Sequence, residues 1–225
     1  PMGYGKTTAV EWYLAERAGA EAPYIVRISV YSGNLAIFWK SVQDAFARAG
    51  FAFLREYDCP TDGASGGLLI DDLCHSLTGE KSCYIFIDDF HLLTDKRAPG
   101  FLCALAGRLP PNVHLILASR DLFLPAAELV RLGGKVYQIG TAQLRLNHTE
   151  LAVYTNRCGT ALSDEQIDTL LYYSEGWFSA VYLNLRMFSE HGVLPDPNSD
   201  ISSIFTAAMI DPLPEKQREF LAAVS

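Results

Sequence analysis

The run Ser82-Cys83-Tyr84-Ile85-Phe86-Ile87-Asp88-Asp89 constrains this chain more than any other stretch. It carries no charge until two carboxylates close it. A strand without polar alternation has both faces covered, which is what a parallel sheet flanked by helices requires. Three further segments read as strands. Tyr24-Ile25-Val26-Arg27-Ile28-Ser29-Val30 is β-rich and bounded by Pro23 and Gly33. Val113-His114-Leu115-Ile116-Leu117-Ala118 ends at Ser119-Arg120, and Val136-Tyr137-Gln138-Ile139 is the last and shortest.

Helical patterns fill the intervals. From Lys6 to about Ala18, Val10, Tyr13 and Leu14 share a face, and Gly19 and Pro23 end the helix. Asn34 caps a second helix whose Leu35, Phe38, Trp39, Val42 and Phe46 form an aromatic-rich core stripe. Residues 55–67, with Pro60, Gly63, Gly66 and Gly67, read as a loop before a helix from Leu68 to Leu77. Helices over Pro99–Arg108 and 122–132 follow, the second closing at Gly133-Gly134. Strands alternating with helices at this spacing predict β-α-β crossovers and an α/β, doubly wound parallel sheet.

After Gly140 the pattern becomes wholly helical. Asn147-x-x-Glu150 and Ser163-x-x-Gln166 are capping-box starts, and Gly159, Gly176 and Gly192 stand at expected helix C-caps. The expected organisation is a core over 1–143, a small helical lid domain over 144–210 and the start of a further domain over 211–225. Val193–Asp200 reads as a connection, and a new helix begins at Pro214 and runs into Ser225. A stop inside a helical pattern suggests a piece of a longer protein.

The second constraint is Gly3-Tyr4-Gly5-Lys6-Thr7-Thr8. Gly-Lys-Thr opening a helix is the end of the phosphate-binding pattern G-x-x-x-x-G-K-[ST], the Walker A motif. Its glycines admit backbone N–H groups to phosphate oxygens, Lys6 reaches the β- and γ-phosphates, and Thr7 ligates Mg²⁺. The helix presents its positive dipole end to the anion. The first glycine and the feeding strand of the pattern would precede residue 1. Ligands of open α/β sheets bind beyond the carboxyl ends of the strands, where the glycine loop, Asp88-Asp89 and Ser119-Arg120 are all expected. Asp88 would hold Mg²⁺ in a Walker B role, directly or through water. Asp89 would orient or deprotonate the attacking water, and Arg120 would sense the γ-phosphate. The plainer alternatives are a solvated loop or helix cap for the two acids and a surface ion pair for Arg120. Ser119-Arg120-Asp121 with His91 hints at a hydrolase triad, but no G-x-S-x-G elbow supports one.

Composition excludes several classes. Apolar residues make up 49% and charged residues 20%, ordinary for a globular protein, and no apolar run is long enough to span a bilayer. The net charge of −8 argues against this segment wrapping nucleic acid. Cys59, Cys74, Cys83, Cys103 and Cys158 form no C-x-x-C pair, which fits a reducing, cytoplasmic setting, with Cys83 and Cys103 as core residues. The five histidines show no zinc-ligand spacing.

With these features placed, the chain resembles the nucleotide-binding module of large LuxR-type transcription regulators related to the maltose-regulon activator, within the signal-transduction ATPases with numerous domains (STAND). The resembling stretches are Pro1–Thr8, Ile85–His91 and Leu115–Arg120. Leu144-Arg145-Leu146-Asn147 to Leu151 resembles the start of the family's helical lid. Gly176-Trp177-Phe178-Ser179-Ala180 lies where the family has Gly-x-Pro, so Gly176 and Phe178 fall at nucleotide-contacting positions. Phe178 replaces the proline; either it or Trp177 stacks on the nucleotide, or both pack in the core.

The resemblance implies an ATP/ADP-binding regulatory switch with Mg²⁺, slow hydrolysis and self-association in the full-length protein. It further implies an inducer of unknown identity, and DNA contact only through a C-terminal domain absent from this chain, with no membrane partner. Two rivals stand beside it. One is a small-molecule P-loop kinase, against which Arg145, Arg157 and Arg186 are too dispersed to form a clamp. The other is a nucleotide-free interaction platform.

Overall fold

The computed structural model describes residues 2–192, together with residues 194, 215, 217 and 218. The described residues divide into two compact units, one of Met2 with Lys6–Gln138, the other of Gly3–Gly5 with the described residues from Ile139 onward.

In the first unit, β1 (Tyr24–Ser29), β2 (Cys83–Asp88) and β3 (Val113–Leu117) form a parallel sheet in the order β1-β2-β3. The central strand β2 aligns Ser29 with Asp88 on one side and Ile87 with Leu117 on the other. Its side chains alternate between two covered faces. Ile85 and Ile87 enter the larger core with α2 (Leu35–Arg48), α3 (Gly63–Leu77) and α4 (Arg97–Arg108). Tyr84 and Phe86 enter a smaller core with Leu14 of α1 (Lys6–Glu21). Both faces therefore carry helices, which is why β2 needs no polar alternation. Each buried large apolar side chain of this kind contributes about 1.5–3 kcal/mol. Tyr13 joins the smaller core edge-on to Tyr84, with ring centroids 5.9 Å apart.

The α/β parallel architecture follows the sequence, but several boundaries moved, three of them by more than two residues. Residues 55–67 are not all loop: α3 starts at Gly63. Asp62 accepts the Ser65 backbone N–H at 2.8 Å while the Ser65 hydroxyl faces back, a capping box that outweighs the low helix propensity of three glycines. α1 runs through Gly19 to Glu21, and the helix expected over 122–132 is α5 (Ala126–Leu132), entered after Pro125.

The expected fourth strand is absent. Val136–Ile139 is irregular backbone, with Tyr137 82% and Ile139 57% exposed. A strand needs a ladder partner for its N–H and C=O groups, and among the described residues this segment has none in the sheet.

The second unit is helical, with α6 (Thr141–Leu144), α7 (His148–Arg157), α8 (Asp164–Ser174) and α9 (Phe178–His191). Asn147 and Ser163 form capping boxes with Glu150 and Gln166, as their spacing predicts. Gly159, Gly176 and Gly192 all have positive φ at helix ends. The core of this unit is Leu151, Ile167, Leu170, Val181 and Leu185. The connection expected over 193–200 and the helix expected from Pro214 lie outside the described residues, apart from residue 194 and three helical positions at 215, 217 and 218.

Candidate functional site

Backbone bonds lateral to β2 fix its carboxyl end. Val30 N–H donates to the Asp88 carbonyl at 3.0 Å, Ala118 N–H to the Ile87 carbonyl at 2.9 Å, and Phe90 N–H to the Ala118 carbonyl at 3.0 Å. With the backbone pinned on both sides, the Asp88 carboxylate has a defined position. Its Oδ1 accepts the Thr7 hydroxyl at 3.2 Å and the Asp89 backbone N–H at 2.9 Å. The Thr7–Asp88 bond spans 81 residues of sequence and joins the start of α1 to the tip of β2.

Lys6 is the first residue of α1, half-buried, and Thr8 is exposed one residue beyond Thr7. The first turn of α1 contains no acidic side chain, so nothing in that turn offsets its positive dipole end.

Asp89 turns the chain out of the strand in the left-handed region, φ 52° and ψ 36°. That conformation costs a non-glycine residue about 1–2 kcal/mol, and Asp tolerates it better than most. Its carboxylate is half-exposed, with Oδ1 3.8 Å from His91 Nδ1. The His91 ring is nearly enclosed, and neither ring nitrogen has a hydrogen-bond partner. With no hydrogen bond to either nitrogen, His91 forms no couple with Ser119, whose Oγ instead accepts the Asp121 backbone N–H at 3.3 Å. Arg120 is exposed three residues past the end of β3.

Within the second unit, the glycine loop meets the segment that begins α9. The Gly3 carbonyl accepts both the Ser179 backbone N–H and the Ser179 hydroxyl, each at 3.0 Å. Gly3 has φ 76°, and a Cβ there would lie 2.5 Å from Ser179 Oγ and 2.7 Å from Trp177 Nε1. Only glycine satisfies both demands. Gly5, at φ 67°, faces the Phe178 ring, which would stand 3.5 Å from an added Cβ. Tyr4 between them is half-buried. Phe178 also packs on Tyr154, ring centroids 5.1 Å apart, so its ring is engaged in packing. Gly176 is a close backbone approach: Leu146 N–H donates to its carbonyl at 3.0 Å, and a Cβ would overlap the Leu146 carbonyl oxygen.

Ser179 and the burial of His91 escaped the sequence. Nothing in the local pattern marks Ser179, because its partner Gly3 lies 176 residues away. His91 stands two residues after the carboxylate pair, and that adjacency was the available signal.

The donor set suits a phosphate-bound cation better than a protein-built one. Among the described residues no group of three or more His, Cys, Asp and Glu could hold a metal ion. Thr7 and Asp88 would supply two oxygens to Mg²⁺, leaving the rest to phosphate and water, the usual division for this ion. All five cysteines are free, and burial pushes the Cys83 thiol up to about 11. No helix among the described residues is long and apolar enough to cross a membrane.

No family model matches the chain. Curated proteins similar to it include three HTH-type transcriptional regulators MalT. That of Vibrio campbellii is 22% identical over 247 aligned positions, covering 100% of this chain and 26% of the relative. That of Vibrio cholerae is 24% identical, covering 98% and 25%, and that of Yersinia pestis 23% identical, covering 81% and 20%. The chain thus spans between a fifth and about a quarter of the length of these relatives. Among solved structures, Cdc6p from Pyrobaculum aerophilum overlays with a TM-score of 0.47 at 14% identity, covering 84% of this chain and 54% of that one. Over essentially its whole length, the chain is similar to a MalT-like nucleotide-binding module of the large LuxR-type regulators.

Proposed function

We propose that the chain is an ATP/ADP-binding switch module of a cytoplasmic LuxR-type transcription regulator. The observation that carries this reading is the Thr7–Asp88 hydrogen bond at the carboxyl end of the parallel sheet. It pairs the hydroxyl and carboxylate that a Mg²⁺-nucleotide site needs, on the two elements such a site uses. Lys6 neutralises the β- and γ-phosphates, the loop of Gly3, Tyr4 and Gly5 and the start of α1 with Thr8 supply backbone donors, and Asp88 with Thr7 holds Mg²⁺. Asp89 positions the attacking water, and Arg120 responds to the γ-phosphate. Hydrolysis is slow and serves as a timer: γ-phosphate contacts favour one arrangement and their loss releases it. Self-association, an inducer and a C-terminal DNA-binding domain belong to the full-length regulator, and the helical residues from 144 correspond to the family's lid.

The small-molecule kinase is disfavoured by the fate of its arginines. Arg145 pairs with Glu175 at 3.4 Å and Arg186 with Glu190 at 2.9 Å, so two of the three dispersed arginines, Arg157 being the third, already have carboxylate partners. One observation favours a nucleotide-free platform: Phe178 and Ser179 already engage the glycine loop. Calorimetry separates the readings. The switch predicts saturable ATP and ADP binding that weakens roughly tenfold or more in Lys6→Ala. Equal affinity in wild type and Lys6→Ala would remove the site assignment, and no binding by either would favour the platform.

A further inference from the structure

The larger core of the first unit opens at one side into an apolar pocket. Between the sheet and α2, α3 and α4 lies a cavity of about 360 Å³, walled by Leu35, Phe38, Trp39, Ile85, Ile87 and Phe101. Well-packed interiors hold few voids larger than a water molecule. An apolar cavity of about 150 Å³ already stays dry and takes up benzene, and small-molecule sites begin near 300 Å³.

The gap has an identifiable origin in the sequence. α3 places Gly66 and Gly67 on the cavity wall, where helices of ordinary composition carry side chains. A Cβ at Gly67 would meet its nearest neighbour, an Arg108 nitrogen, only at 4.0 Å. A Cβ at Gly66 would instead touch the Phe101 ring at 3.4 Å, so the open space lies at Gly67, and both glycines weaken the helix locally.

The polar groups at the rim are consumed. Arg97 Nη2 binds Asp95 at 2.7 Å, Arg108 Nη1 binds Asp71 at 2.9 Å, and Asp62 caps α3 through Ser65. Trp39 Nε1 already donates to the Tyr57 carbonyl at 3.1 Å. With the rim charges internally paired, the cavity offers apolar surface and no uncompensated charge to a ligand. We infer that this cavity is a binding site for a neutral, largely apolar small molecule of two or three rings. The site is separate from the strand-end polar cluster, although its wall residue Ile87 immediately precedes Asp88.

The test uses N-phenyl-1-naphthylamine, a neutral apolar fluorophore, titrated into the whole chain. The expected result is saturable one-to-one binding with enhanced emission. Gly67→Leu and Ala104→Leu, each projecting from a wall helix, weaken it roughly tenfold or more, and Gly67→Leu raises the Tm of the free protein. Ala104→Leu keeps the test open if Gly67→Leu folds poorly. Absence of saturable binding to the wild type overturns the site, as does binding that survives both substitutions, which would mark general apolar surface.

Discussion

Cys83–Asp88 and Val136–Ile139 are alike in composition and opposite in fate. Both are short and β-rich, the first free of charge until Asp88 and the second free of charge throughout. The first is the most buried strand of the sheet, paired on both sides, and the second is irregular with Tyr137 in solvent. The difference is not propensity. β2 has a ladder on each edge and a helix on each face, whereas the later segment has no ladder among the described residues. Strand identity resides in the partners, and so does the precision of a site at a strand's end. Asp88 is held because its neighbours hold its backbone.

Substitution should separate the two segments widely. Phe86→Ala removes a buried ring between the sheet and α1 and should cost about 3–5 kcal/mol, while Tyr137→Ala should fall within about 0.5 kcal/mol of wild type. Urea unfolding of both variants checks this, and comparable losses would mean that Val136–Ile139 is packed after all.

The helical unit offers a sharper version, because there one glycine carries a tertiary constraint. Gly176 combines φ 69° with backbone approach to Leu146, so Gly176→Ala should cost about 2–3 kcal/mol. Gly159, with the same sign of φ and open space around it, should lose only about 1 kcal/mol when changed to Ala. Thermal unfolding of the two variants measures the gap between them, which is the contribution of the tertiary contact.

The smallest effect is electrostatic. The Arg97 side chain, then its backbone N–H, holds the Asp95 carboxyl down to about 2. A depressed carboxylate stabilises the fold above its unfolded pKa, about 3.9, and loses that contribution as pH falls towards 2. Stability measured between pH 5 and pH 2 should therefore decline less steeply in Asp95→Asn than in wild type, a modest difference because the pair lies near the surface.

The same distinction separates what the sequence reveals from what it hides. The three strands were legible because short β-rich runs are bounded by Pro23, Gly33 and the Asp88-Asp89 pair, and the charge-free run of β2 also encodes coverage on both faces. The caps at Asn34, Asn147 and Ser163 were legible because capping chemistry closes within three residues. The start of α3 was hidden, since Gly63, Gly66 and Gly67 argue against a helix that Asp62 and tertiary packing nevertheless impose. At the candidate site, Lys6, Thr7, Asp88, Asp89 and Arg120 were nameable from motif order alone. The Thr7–Asp88 bond, the grip of Ser179 on Gly3 and the enclosed His91 were not, because each depends on residues or packing distant in sequence.

The central claim is that Asp88, positioned by its strand neighbours, serves Mg²⁺ in a nucleotide site. Calorimetric titration of ATP with and without Mg²⁺, on wild type and Asp88→Asn, tests it most directly. The wild type should bind ATP more tightly with Mg²⁺ than without, and Asp88→Asn should lose that dependence while retaining Mg²⁺-free binding. An identical Mg²⁺ dependence in the two proteins would contradict the account.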